Sequence, residues 1–248
     1  MVRRKLVVGN WKMNGLRTQL PQVAAIGAEA AAHPEVEVGL CVPATLIGMA
    51  AEARGGAFIG GQDCHTKATG AHTGCLSAEM LKEAGASWVI VGHSERRADH
   101  GETDAEIASK ALAAHAEGLK VILCVGESLD VRDSGEAVPF VLAQLEASLP
   151  EGAAADWLSI AYEPVWCIGT GRIPTMEQIA EMHSAIRGAL VKRIGEDGNA
   201  MRILYGGSVN AANAAEVFAV ADVDGGLVGG ASLKLESFGP IIAAAASH

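Results

Sequence analysis

Short runs of aliphatic and β-branched residues recur along this chain, each followed by a longer stretch whose apolar positions carry helical spacing. That alternation constrains the fold most, because parallel strands need crossover connections and helices supply them. Strands are expected near Leu6–Val8, Glu37–Val42, Ala57–Gly61, Trp88–Gly92, Lys120–Val125, Leu158–Tyr162, Ile203–Tyr205 and Gly226–Val228. Several are continuous apolar runs, as in strands buried on both faces. The intervening helices have start and stop signals. Thr103 with Glu106 and Thr175 with Gln178 fit capping boxes. Ser77 and Asn210 fit N-caps, Pro21 and Pro139 fit first turns, and Gly118 fits a helix end. Ile179, Met182, Ile186 and Leu190 line one face of a helix from Met176 to Ile194. Roughly eight strand–helix units in about 250 residues match an α/β fold of the (β/α)8 barrel type. A doubly wound open sheet is the competing architecture. No linker or composition break divides the chain, so a single domain over residues 1–248 is expected.

Composition narrows the function classes. Half of the 248 residues are apolar, enough for a substantial core. Nineteen basic residues oppose 29 acidic ones, for a formal net charge of −10. That balance disfavours nucleic acid or an anionic membrane surface as partners and leaves room for a local anion site. The apolar run after Arg3-Arg4-Lys5 is only Leu6-Val7-Val8, too short for a signal-peptide core, and no apolar stretch reaches membrane-span length. The odd count of five cysteines, without C-x-x-C, argues for reduced thiols. A soluble cytoplasmic protein is the simplest expectation.

Ligands of parallel α/β folds collect at the carboxyl ends of the strands. Those ends carry Gly9-Asn10-Trp11-Lys12, Gly92-His93-Ser94-Glu95-Arg96, Gly126-Glu127, Glu163, Gly206-Gly207-Ser208 and Gly229-Gly230. Glu163 closes a buried strand, where apolar neighbours can raise a carboxyl pKa toward neutrality, and a glycine-rich segment that could exclude water follows it. Taken alone, Glu163 has a salt-bridge reading, although the aromatic, glycine-containing segment after it favours catalysis. A lone Lys12 is more commonly a solvated loop lysine, improved here by its place at a strand end, and a lone His93 reads first as a hydrogen-bonded core residue. A short helix starting at Ser94 would point its N-terminus at the imidazole and disfavour the protonated ring. The two late glycine pairs read as phosphate cradles or simply as turns; Asn210 or Ser232 could begin the helices after them. There is no G-x-x-x-x-G-K-[ST], and no complete G-x-G-x-x-G follows a strand.

At these residues the chain resembles the triosephosphate isomerase family from end to end. The matching segments are Gly9-Asn10-Trp11-Lys12-Met13-Asn14-Gly15, Gly92-His93-Ser94-Glu95-Arg96-Arg97, Ala161-Tyr162-Glu163-Pro164-Val165-Trp166 with Ile168-Gly169-Thr170-Gly171, Tyr205-Gly206-Gly207-Ser208-Val209, and Leu227-Val228-Gly229-Gly230-Ala231-Ser232-Leu233. Five long motifs in the family's order are highly specific. The resemblance implies interconversion of dihydroxyacetone phosphate and glyceraldehyde 3-phosphate without metal or organic cofactor. It implies Glu163 as base, with His93 and Lys12 stabilising the enediol(ate) oxygens. Asn10 would position the substrate, and Glu95 would support Lys12 and the base. The family is itself a known case of a glutamate base paired with a neutral histidine. Ser208, Gly207, Gly229 and Gly230 would hold the phosphate. Pro164, Val165, Trp166, Cys167, Ile168, Gly169, Thr170, Gly171 and Arg172, on to Pro174, would form the lid, with Gly169 also meeting the substrate. Closure keeps the enediolate from expelling phosphate.

The chain departs from the family's usual residues at three places. Cys167 stands for alanine, which suggests a lid thiol that reacts when the lid opens. Arg172 stands for lysine, before a stiffening Ile173-Pro174. The segment Gly61–Ser77 resembles a loop that inserts into a second subunit, which implies a homodimer. Gln62, Gly70, Thr73, Gly74 and Ser77 fit it, while Asp63 and Cys75 replace asparagine and glutamate. Cys64, His65, His72 and Cys75 in that loop also offer a zinc alternative, though their spacing matches no usual finger. A phosphate-binding barrel of another isomerase class would share the last two motifs only. A non-catalytic homologue would not need Glu163, His93 and Lys12 together.

Overall fold

The computed structural model describes residues 3–167 and 172–248. Eight strands close into one barrel in sequence order: β1 Leu6–Asn10, β2 Glu37–Cys41, β3 Phe58–Gly61, β4 Trp88–Val91, β5 Lys120–Val125, β6 Leu158–Tyr162, β7 Arg202–Tyr205 and β8 Gly225–Val228. Every neighbouring pair is parallel, and β1 returns to pair with β8 through Leu6↔Gly225 to Gly9↔Val228. The closed barrel excludes the doubly wound sheet. The helices are α1 Leu20–Ala32, α2 Ile47–Ala53, α3 Ala78–Glu83, α4 Ser94–His100, α5 Asp104–Ala116, α6 Leu129–Asp133, α7 Ala137–Ser148, α8 Met176–Ile194, α9 Glu196–Ala200, α10 Ala214–Ala219 and α11 Leu235–Ala246.

The continuous apolar runs have a period of two that both faces hide. Leu6, Val8, Trp88, Ile90, Ile122, Cys124, Ala161 and Leu204 point into the barrel. Their neighbours Val7, Val89, Val91, Val121, Leu123, Leu158 and Ile160 pack outward beneath the helices. Water reaches neither side, so alternation of polarity has no cause. At roughly 25 cal/mol per Å² of apolar surface removed from water, this double burial is the main stabilising term.

Local signals mark several boundaries. Ser77 Oγ accepts from Met80 N at 3.2 Å and starts α3. Thr175 and Gln178 form a reciprocal capping box on α8, whereas Thr103 only accepts from Glu106 N, giving half of the expected box. Gly118 has φ 76 just past α5, a left-handed turn that glycine adopts without steric cost. Asn210 is not the cap of the next helix. Its Oδ1 accepts from Ala212 N and Asn213 N, closing a turn, and Asn213 stands at the N-cap of α10. Ser232 likewise begins no helix. It lies inside a 3-10 turn, Gly230–Leu233, with its hydroxyl donating to Gly229 O at 2.7 Å.

His183 of α8 is fully buried, its Nδ1 3.0 Å from Asp222 O, and burial lowers its pKa to about 4. Between pH about 6.5 and 4 the unfolded chain takes up a proton that the folded chain refuses. Stability owed to this group is therefore constant above pH 6.5 and falls below it, by about 3 kcal/mol in all. His183→Gln is expected to flatten that part of the acid slope in urea unfolding; equal slopes for variant and parent between pH 6.5 and 4.5 would refute it.

Candidate active site

The strand ends converge on one cavity of about 530 Å³, lined by Asn10, Lys12, His93, Glu95, Glu163, Gly207, Ser208, Gly229 and Gly230. Every catalytic and substrate-binding residue expected from the sequence lines it except Gly169, which lies outside the described residues with Ile168, Thr170 and Gly171; the described lid residues, Pro164 to Cys167 and Arg172, do not line it. Glu163, one residue past β6, is 1 % exposed. Its main chain fits against β5 because residue 126 is glycine: a Cβ there would stand 1.9 Å from Glu163 O. Its Oε1 lies 2.9 Å from His93 Nε2. Ser94 N donates to Oε2 at 2.9 Å, and Ser94 Oγ donates to Oε1 at 3.2 Å.

Helix α4 starts at Ser94, as expected from the sequence; His93 stands at its N-cap, and Glu95 N–H donates to its Nδ1 at 3.3 Å. That bond places the ring proton of the neutral imidazole on Nε2, facing Glu163. The pKa shifts differ from the sequence expectation. Burial pushes the Glu163 carboxyl up, but His93 and Ser94 outweigh it, so the group sits below its ordinary value. Burial likewise pulls His93 down, but the facing Glu163 carboxylate holds the ring above its ordinary value. Hydrogen bonds to a carboxylate favour its charged form, and apolar neighbours alone would not reveal them.

Lys12 follows β1 with Nζ 2.6 Å from Glu95 Oε1. Asn10 Oδ1 accepts from Lys12 N at 3.0 Å. Glu95 reaches both Lys12 and the ring, with Oε2 3.6 Å from His93 Nδ1. Across the cavity, Cβ atoms built on Gly229 and Gly230 would project into space, the nearest neighbour being Lys12 Cε, 3.7 Å from that on Gly229. With no side chain on either glycine, their backbone borders the cavity directly, the arrangement a backbone anion site requires. Ser208 Oγ donates to Cys167 O at 3.1 Å, tying the cavity rim to the segment after Glu163.

The described part of that segment is Pro164, a 3-10 turn over Val165–Cys167, and Arg172 onward. Its root is held by Glu127, whose buried Oε1 accepts from Tyr162 Oη at 3.0 Å, Trp166 Nε1 at 2.9 Å and Arg132 at 2.7 Å. Glu127 was visible in sequence as a strand-end residue, but its partners were not. Cys167 is buried and its thiol is pushed up to about 12, chiefly by burial, so in this arrangement it is a poor nucleophile.

The Gly61–Ser77 loop closes on itself through His65 N donating to Leu76 O at 2.7 Å. Asp63 pairs within its own chain, with Arg96 at 2.9 Å and Lys110 at 3.0 Å. Cys64 is buried toward Lys110 O, Cys75 is exposed, and the His65 and His72 rings are 4.0 Å apart. Among the described residues, no three His, Cys, Asp or Glu side chains converge as a metal site. No helix of the described residues is long and apolar enough to cross a membrane.

The chain matches the family model described as Triosephosphate isomerase over residues 5–245. It is 58 % identical over 238 residues to the triosephosphate isomerase of Hyphomonas neptunium, covering 95 % of this chain and 96 % of that one. It is 55 % identical to that of a Ruegeria species over 244 residues, 98 % of this chain and 99 % of the relative. The crystal structure of triosephosphate isomerase from Bartonella henselae superposes with a TM-score of 0.91 at 45 % identity, covering 97 % of this chain and 98 % of the other. A barrel closed in sequence order, a glutamate and a histidine meeting at its carboxyl end, and likeness over nearly the whole length lead to one assignment: this chain belongs to the triosephosphate isomerase family.

Proposed function

We propose that this chain interconverts dihydroxyacetone phosphate and D-glyceraldehyde 3-phosphate through an enediol(ate), with Glu163 as base and His93 as electrophile. The family supplies the reaction, an intramolecular aldose–ketose isomerisation. One observation carries the roles: Glu163 Oε1 and His93 Nε2 stand 2.9 Å apart over a cavity that also holds Lys12. A substrate carbonyl oxygen that displaces the Glu163 carboxylate from Nε2 takes that proton donor for itself. A buried carboxylate that loses this donor is pushed up by burial, which raises its proton affinity. Substrate binding thereby makes the base stronger where it is needed. Glu163 then removes a proton from the carbon beside the carbonyl. Parted from the Glu163 carboxylate that holds its pKa up, the ring is left chiefly to burial, which favours its neutral form, and that ring and the Lys12 ammonium stabilise the oxygen charge as it forms. The ring gives its Nε2 proton to the former carbonyl oxygen and takes the hydroxyl proton of the neighbouring oxygen in exchange, while the carboxyl group delivers a proton to the neighbouring carbon; base and ring both end as they began.

In this proposal Asn10 positions the substrate oxygens, and Glu95 orients Lys12 and the ring. Gly207, Ser208, Gly229, Gly230 and Gly169 hold the phosphate. The lid from Pro164 to Arg172 closes over it, and binding of the remote phosphate drives that closure. The chemistry draws on no metal or organic cofactor. A coupled assay with each triose phosphate tests the assignment. Turnover in both directions is expected, with solvent hydrogen appearing in the product; absence of either activity would overturn it.

One catalytic domain over residues 1–248 in the cytoplasm fits this activity; five free cysteines support the reducing compartment. A homodimer through Gly61–Ser77 is also proposed. Its support is the exposure of large apolar side chains, Met13 at 98 % and Leu16 at 71 %, and of Met80 just past that loop. Light scattering should give twice the 25.5 kDa chain mass. A single-chain mass at micromolar concentration would remove the dimer.

A further inference from the structure

Gln62 lies directly after β3, in the segment whose resemblance is to an intersubunit loop. Within its own chain the side chain has a different engagement. Its Nε2 donates to Lys12 O at 2.9 Å and to Cys41 O at 3.1 Å. Both acceptors are carbonyls, so only the NH2 end of the amide can face them, and its orientation is set by its partners.

Lys12 has φ 51, and Asp222 at φ 61 is the other non-glycine residue with positive φ among the described residues. A lysine in the left-handed region is strained, and such a conformation persists only where surrounding contacts over-determine it. One of them is Asn14 Nδ2, which donates to Trp11 O at 3.0 Å on the peptide before Lys12; two more act on Lys12 itself. Asn10 Oδ1 accepts the Lys12 N–H at 3.0 Å, and Gln62 holds the Lys12 carbonyl. The peptide groups on both sides of Lys12 are thus tied, one by the end of β1 and the other by the end of β3. Between them the side chain is aimed across the cavity mouth. Its Nζ meets Glu95 Oε1 at 2.6 Å and its Cε runs beside Gly229. Without the carbonyl anchor, the peptide after Lys12 can relax out of the left-handed region. The ammonium then swings away from the cavity, because the Cα–Cβ direction follows the backbone.

We propose that Gln62 is a positioning residue for the isomerisation: it holds Lys12 in a strained backbone conformation that presents the ammonium to the substrate. This rests on the role given to Lys12 above. Gln62 touches no reacting atom and acts only through the Lys12 backbone.

A double-mutant cycle in steady-state kinetics tests it, with Gln62→Met, Lys12→Ala and the pair. Lys12→Ala is expected to lower kcat/KM on the order of a hundredfold. Gln62→Met keeps the side chain's length without its donors. It is expected to lower kcat/KM by about tenfold, in KM and kcat together, as a small misplacement of a binding group does. In the Lys12→Ala background the same substitution is expected to cost nothing further. An equal tenfold loss in both backgrounds overturns the proposal, because Gln62 would then act without Lys12. Unchanged kinetics with a lower Tm also overturns it and leaves Gln62 a purely structural residue. Near-normal kinetics for Lys12→Ala alone removes the Lys12 role and this proposal with it, and that single variant identifies the cause. Should Gln62→Met fail to fold, Gln62→Glu serves. Its carboxylate offers no donor to either carbonyl, so the same cycle is expected to show a loss of about tenfold that vanishes in the Lys12→Ala background. An equal loss in both backgrounds overturns the proposal.

Discussion

Glu163→Gln is expected to lower kcat by about a thousandfold, within the usual range for loss of a positioned base. The substitution keeps the side chain's shape, and its amide oxygen can still accept from Ser94 N. It removes a charge from a site that is 1 % exposed, so the fold loses no buried ion that lacks a partner. What disappears is proton affinity. A neutral amide cannot take the proton from carbon, although substrate can still bind under the lid. KM should therefore move much less than kcat, the signature of an interaction made chiefly in the transition state. Exchange of substrate hydrogen with deuterated solvent, followed by NMR, should fall in parallel with kcat. Exchange at the parent rate, with circular dichroism confirming the fold, would assign the base elsewhere.

His93→Ala is expected to cost a hundred- to a thousandfold in kcat, the scale of removing one donor from a developing oxyanion. The ring has two engagements, Nδ1 with Glu95 N and Nε2 with Glu163, and alanine deletes both. The first loss frees the start of α4, a modest structural effect. The second removes the donor from the point where oxygen charge develops. His93→Gln offers a donor of similar reach and should recover part of the rate. If His93→Ala turned over near the parent rate, the imidazole would be a capping residue and the electrophile would have to be Lys12 alone.

The apolar pattern marks both ends of β5 and β6, because both are dense apolar runs between polar punctuation. In β1 that pattern stops at Val8, short of the strand's end at Asn10. Gly9 and Asn10 look like turn residues, yet they pair with Leu40 and Cys41 of β2. Asn210 has the right chemistry for a cap but closes a turn ahead of Asn213. Burial of Glu163 is legible from the strand before it. Its lowered pKa is not, because His93, and after it Ser94, which lower it, stand far off in the chain, Ser94 by 69 positions.

Periodicity and capping chemistry determined the eight strands, the order of helices and the strand ends where chemistry collects, since each depends on residues within a few positions of one another. The paired motifs in their order also determined the family. Only the closed barrel decided who meets whom: Glu163 with His93 and Ser94, Lys12 with Glu95 and Gln62, Asp63 with Arg96 and Lys110. Ring closure brings together side chains far apart in the chain. The charge state of a buried group then follows from the neighbours it acquires, which no local pattern encodes.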